Sequence, residues 1–173
     1  MVFCDIHPNE TNKTILEKYG EKLYKKHLET TMNMSKERYA YSSCKICVMK
    51  SIRSFERGTF YKNKETDELE GYILFRDSMF FREKEILLLV SVDLGIMFKL
   101  LRRFIRNTTR NDPAIIYSYI MENEEILQIY LDLGFFIEKR SPKLFHGDVD
   151  LILMRFNNHP VEPTESVTVE DIH

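Results

Sequence analysis

The stretch AIIYSYIMENEEILQIYLDLGFF, Ala114 to Phe136, changes its hydrophobic period halfway along. Ile115-Ile116-Tyr117-Ser118-Tyr119-Ile120-Met121 is β-branched and aromatic over the length of a strand. Ile126, Ile129, Tyr130 and Leu133 then recur at three- and four-residue steps, one face of an amphipathic helix. Asn123 stands where its side chain can accept bonds from the first helix amides, and Glu124 and Glu125 suit the positive end of the dipole. Gly134 ends the helix, and Phe135-Phe136-Ile137 opens another strand. Strand, capped helix, glycine and strand fit into about thirty residues, the size of a βαβ unit.

Upstream, Val2 to Ile6 reads as a first strand and His7 to Glu10 as a turn, because Pro8 restricts the residue before it. A helix is expected from Thr11 to about Thr30, capped by Thr11 or Asn12, with Ile15, Leu16, Tyr19, Leu23, Tyr24 and Leu28 on its apolar side. Ser35-Lys36-Glu37 reads as the cap of a second helix, with Tyr41, Cys44, Cys47, Val48, Ile52 and Phe55 on one face. Gly58 is expected to break the pattern. A hairpin follows, Thr59 to Lys62 and Gly71 to Arg76 around the polar turn Lys64 to Glu68. Met79 to Asp93 supplies a strand whose core, Ile86-Leu87-Leu88-Leu89-Val90, is uniformly apolar and therefore central. Leu94 to Thr109 is helical, with Ile96, Met97, Leu100, Leu101, Phe104 and Ile105 inward. After the opening unit come a strand Phe136 to Arg140, a turn near Ser141-Pro142 and a strand Asp148 to Met154.

One domain is expected over residues 1–156, with 157–173 an acidic tail too poor in apolar groups to order itself. The 43% hydrophobic and 30% charged fractions describe a soluble globular protein, and a net charge of −2 gives no general pull toward nucleic acid or anionic membranes. No apolar run is long enough to span a bilayer, and the first residues lack a signal peptide's layout. Three cysteines and no export signal point to a cytoplasmic or nuclear setting. Cys4-x-x-His7 and Cys44-x-x-Cys47 have zinc-pair spacing, but the second pair lies in an apolar helical stripe, so no metal is expected.

Asn123, Ile126, Tyr130, Gly134 and Phe135 resemble the N-x-x-A/I-x-x-x-Y-x-x-x-G-F signature of the GCN5-related acyl-CoA N-acyltransferases, the GNAT superfamily. The resemblance runs from roughly Phe60 to Phe156, and the segment from Glu138 to Leu153 looks most like the protein N-terminal acetyltransferases. It implies an α/β domain of order β-α-α-β-β-β-α-β-α-β-β, a mixed, mostly antiparallel sheet splayed between its fourth and fifth strands. Acetyl-CoA would lie in the splay, paired to the fourth strand near Val90 and Val92, with Gly95 and Asn123 beside it. A peptide or amine acceptor would meet it there. Tyr130 would protonate the departing thiolate as a general acid. Ser118 stands where relatives carry a base, and Leu144-Phe145 stands where they carry a tyrosine pair that grips substrate; both would be substrate contacts.

The sequence departs from that family at the phosphate cradle. Q/R-x-x-G-x-G/A is absent before Leu94-Gly95-Ile96, and Asp93 puts a negative charge where a pyrophosphate needs amides. Serine at position 118 is no base without a partner, and Glu122 lies in the turn. A different class of function therefore stands beside the enzyme: a GNAT-fold binding or scaffolding subunit, with a partner subunit, that has lost its acetyl-CoA site. Lys99, Arg102, Arg103, Arg106 and Arg110 give the helix after the cradle a basic flank, which is read as a solvated face rather than a nucleic-acid site.

Overall fold

The computed structural model describes residues 2–31, 44–77, 83–111, 113–145 and 149–157. Seven strands form one sheet: β1 (Val2–Ile6), β2 (Arg57–Lys62), β3 (Leu69–Asp77), β4 (Glu83–Ser91), β5 (Ile115–Met121), β6 (Phe136–Phe145) and β7 (Val149–Asn157). Their order across the sheet is β1-β2-β3-β4-β5-β7-β6. Every pairing is antiparallel except β4 with β5. Helical segments are α1 (residues 10–31), α2 (Cys44–Ser54), α3 (Leu94–Thr109) and α4 (Glu124–Asp132). The expected α/β architecture is the one found.

Strand parity puts the helices on opposite faces. Tyr72 of β3 donates to the Gly20 carbonyl of α1 at 3.1 Å, while Phe75, three residues on, packs against Phe104 of α3 with ring centroids 4.6 Å apart. Leu16, Leu23 and Leu28 of α1 with Val48 and Ile52 of α2 bury one side, and Ile96, Met97, Leu100, Leu101 and Phe104 of α3 bury the other. The strand Ile115–Met121 and the helix Leu94–Thr109 occur with the expected bounds.

Helix α1 departs from its expected phase. It contains two turns with i→i+5 bonding, Leu16–Gly20 and His27–Thr31, each of which holds an extra residue. Leu16 and Gly20 are buried, and Tyr19, expected on the apolar side, lies at its margin and is 45% exposed. The cap is Asn9, whose Oδ1 accepts from the Asn12 amide at 2.9 Å, rather than Thr11 or Asn12. The expected second helix is present from Cys44 onward with Val48, Ile52 and Phe55 buried, while its Ser35 cap and Tyr41 lie outside the described residues.

Gly58 lies within β2, paired with Leu74 and Ile6, and does not break the pattern. A Cβ there would stand 2.7 Å from the Ile73 carbonyl oxygen and 2.9 Å from Leu74 Cδ2. Backbone cannot yield as a side-chain tip can, so Gly58→Val is expected to cost about 3 kcal/mol, measured by urea unfolding. An unchanged midpoint would contradict this packing. Likewise the expected turn at Ser141-Pro142 lies within β6: Pro142 falls in the register jump between Ser141↔Leu151 and Phe145↔Val149, where it has no β7 partner.

Helix α4 explains its own motif. Asn123 Oδ1 accepts from the Glu125 and Ile126 amides, each at 3.1 Å. At the other end Gly134 takes φ +97°, the Phe135 amide bonds the Tyr130 carbonyl at 3.0 Å, and the Gly134 amide bonds Leu131 at 3.1 Å. This is a Schellman cap with its hydrophobic contact, the Tyr130 and Phe135 rings meeting edge to face at 4.9 Å. Tyrosine, glycine and phenylalanine thus form one closing device.

Candidate functional site

The cleft arises where β4 and β5 part. Their parallel pairing covers Glu83↔Ile115 to Ile86↔Ser118 and stops, although β4 runs on to Ser91 and β5 to Met121. On the other side of β4 the register jumps from Phe75↔Ile86 to Leu74↔Leu88, which leaves Leu87 as an extra residue. Such a bulge bends its strand and leaves the extra residue unpaired. It sits one residue past the last β4–β5 pair. The bulge accounts for a difference from the sequence reading: Leu87, Leu88 and Leu89 are half-buried, because the departing β5 no longer covers them.

At the vertex stands the pair that closes the cleft. Ser118 is the last β5 residue paired to β4, and its Oγ lies 2.8 Å from the Tyr130 hydroxyl. Both side chains are buried. Burial pushes the Tyr130 phenol up to about 12, against a smaller opposing effect of the Ser118 hydrogen bond, so it holds its proton across the physiological range. The sequence brought Ser118 and Tyr130 forward for separate roles; the fold makes them partners.

The first turn of α3 forms the cleft's other end. Asp93 is its N-cap, and its Oδ1 accepts from the Ile96 amide at 2.8 Å. The amides at a helix N-terminus are the donors that an anion would use, and here a carboxylate already occupies one beside the exposed Gly95. Asp93→Asn keeps a good cap and removes the charge. It is expected to raise acetyl-CoA affinity roughly fivefold at low salt, with the gain shrinking as salt screens it. Titration calorimetry at two salt concentrations checks this; equal affinities would show that Asp93 does not face the phosphates.

Sequence reasoning passed over His27. Its Nδ1 lies 3.1 Å from the Ser91 carbonyl oxygen and 3.4 Å from the Ser91 amide, while Thr30 donates to the Val92 carbonyl at 3.2 Å. The second wide turn of α1 therefore covers the exit of β4. Burial drives the His27 pKa down to about 4, with the Ser91 backbone bond opposing. The Val92 amide donates to the Glu70 carbonyl of β3 at 2.9 Å, and Val90 is fully buried opposite Tyr72. The first β4 residue past its pairing with β5 is Leu87, the extra residue of the bulge. Its only signal in the sequence was an unbroken apolar run.

Asn123 caps α4. Glu122 pairs with Arg140 at 3.0 Å. Leu144 and Phe145 lie in the irregular far end of β6, where pairing jumps from Ser141↔Leu151 to Phe145↔Val149; their side chains lie outside the described residues, as do those of Cys44 and Cys47. Among the described residues no group of His, Cys, Asp and Glu could hold a metal, and no helix is long and apolar enough to cross a membrane.

No protein-family model and no curated protein matches the sequence. Solved structures do match in fold. An aminoglycoside 6'-acetyltransferase type Ii is similar with TM-score 0.64 and 20% identity, over 92% of this chain and 99% of the other. An aminoglycoside 6'-N-acetyltransferase complexed with coenzyme A gives 0.63 and 18%, over 92% and 98%. The ribosomal-protein-S18-alanine N-acetyltransferase from Escherichia coli gives 0.61 and 13%, over 90% and 94%. At these identities the likeness is one of fold, and the chain has the GNAT fold from end to end of its sheet.

Proposed function

We propose that this GNAT-fold chain is an N-acetyltransferase that takes its acetyl group from acetyl-CoA and passes it to an amine, with a polypeptide N-terminus as the acceptor class. The carrying observation is the splayed vertex, where β4 and β5 part after Ile86↔Ser118 and the Ser118 hydroxyl stands 2.8 Å from that of Tyr130. The thioester end of acetyl-CoA would lie at this place. The pyrophosphate end would meet the Asp93 carboxylate at the start of α3, which opposes it.

Acetyl-CoA supplies an activated acyl group with a thiolate leaving group. In this reading the Tyr130 hydroxyl, held by Ser118, would give its phenolic proton to the departing sulfur, and a β4 backbone amide past Ile86 would polarise the acyl oxygen. Tyr117 and Tyr119 flank Ser118 on the opposite face of β5, and Tyr119 is 56% exposed, which offers an acceptor chain an aromatic surface. The polypeptide acceptor is supported by the likeness to a ribosomal-protein-alanine N-acetyltransferase and by the resemblance of the last hairpin to N-terminal acetyltransferases. The test is incubation with acetyl-CoA and paired peptides that carry either a free or a blocked α-amine. Acetylation of the free-amine peptides alone supports the reading; transfer only to lysine side chains or small amines removes the acceptor class.

A second reading has its own observation. With the Ile96 amide held by Asp93 and Ser91 covered by His27, the fold suits a binding subunit that no longer takes acetyl-CoA. Absence of both binding and transfer by the purified chain would favour it.

A further inference from the structure

Helix α3 carries a charge feature that the cleft does not use. Lys99, Arg102 and Arg106, with Arg110 at its C-cap, are exposed and form no ion pair with any described residue. At 3.6 residues per turn they line one side of the helix over about 16 Å. Arg103 is different. It turns to β1, where its guanidinium pairs with Asp5 at 3.3 Å and lies 4.9 Å from the Phe3 ring. Four neighbouring cations with no ion pair among the described residues repel one another.

The compensating charge lies in the sequence beyond β7. Residues 158–173 contain Glu162, Glu165, Glu170 and Asp171 and no lysine or arginine, four acids against the stripe's four cations. The connection is short. Asn157, the last residue of β7, pairs with Ile115 at the start of β5, and Ile115 follows Arg110 by five residues. A sixteen-residue segment spans at most about 50 Å, three times the length of the stripe.

We propose that the acidic C-terminal segment 158–173 docks along the Lys99-Arg102-Arg106-Arg110 face of α3 in the same molecule. The contact is electrostatic and polar, and it is weakened by salt. It runs from the C-terminus of α3 toward the helix start near Gly95. There it screens the basic face from other polyanions, nucleic acid and phosphate-rich ligands included. The inference does not depend on the acetyltransferase reading.

Lys99 is the only lysine of the stripe, which makes a zero-length test specific. The full chain is treated with a water-soluble carbodiimide at low concentration and low salt, and the monomer is mapped by peptide mass. An amide between Lys99 and Glu162, Glu165, Glu170 or Asp171, lost at about 0.5 M salt, is the expected result. In parallel, the variant Glu162→Gln, Glu165→Gln, Glu170→Gln, Asp171→Asn should bind heparin roughly tenfold more tightly than the natural chain, as an uncovered stripe would. Links that join two molecules, or no link at Lys99 with unchanged heparin binding, would overturn the proposal.

Discussion

Tyr130→Phe is expected to lower the rate of acetyl transfer roughly 100-fold, within the range that a positioned general acid contributes. The ring stays, with its edge-to-face contact to Phe135, and so does the closing geometry of α4. Only the hydroxyl is lost. Its removal strands the buried Ser118 Oγ, a cost of about 1–2 kcal/mol in stability. The double variant Tyr130→Phe, Ser118→Ala removes both groups and recovers most of that stability without recovering rate. The two effects are therefore separable: unfolding measurements follow the pair, while turnover follows the phenol. Equal turnover in Tyr130→Phe and the natural chain would leave Tyr130 a core residue and nothing more.

Acid should loosen the fold through His27. The ring is buried and neutral in the native state, its pKa driven down to about 4 by desolvation, whereas in the unfolded chain it returns to 6.5. The unfolded state therefore binds the proton first. Stability from this group is complete above pH 6.5, falls as pH drops toward about 4, and changes no further below that. Across that window the loss is about 3 kcal/mol, enough to consume a large part of a domain's margin. His27→Gln cannot titrate, so its unfolding free energy should vary much less between pH 6.5 and 4.5 than that of the natural chain. Parallel curves for the two proteins would mean that His27 is hydrated or differently paired. Because His27 and Thr30 hold the exit of β4, the same acid range should also loosen the cleft's upper rim.

What could be read from the sequence follows from how local each determinant is. The bounds of α3 and β5 and the caps of α4 rest on residues within a few positions of one another, and Asn123, Gly134 and Phe135 act through neighbouring backbone. The same locality made the Asp93 problem visible, since an N-cap carboxylate is a first-turn event. Nonlocal features did not show. Gly58 reads as a breaker until β3 is laid beside it, and Ser141-Pro142 reads as a turn until β7 is laid beside β6 and the register jump appears. The Leu87 bulge is a relation between two strands, and nothing in an unbroken leucine run marks which residue will be extra. His27 is hidden for a different reason. It lies four residues after Leu23 and three after Tyr24, on the buried side of α1, but a search for apolar residues at helical steps passes over a histidine. Ser118 and Tyr130 were each legible, but their contact needed the fold.

The gap between β4 and β5 is where a thioester would be received. Titration calorimetry of the full chain with acetyl-CoA, at low salt and near neutral pH, tests this directly. The expected result is measurable heat with a one-to-one stoichiometry and a weak affinity, limited by Asp93 at the phosphate end and improved in Asp93→Asn. No heat with either protein at millimolar acetyl-CoA, and no thermal stabilisation, would contradict the central claim and leave a GNAT fold that binds something else.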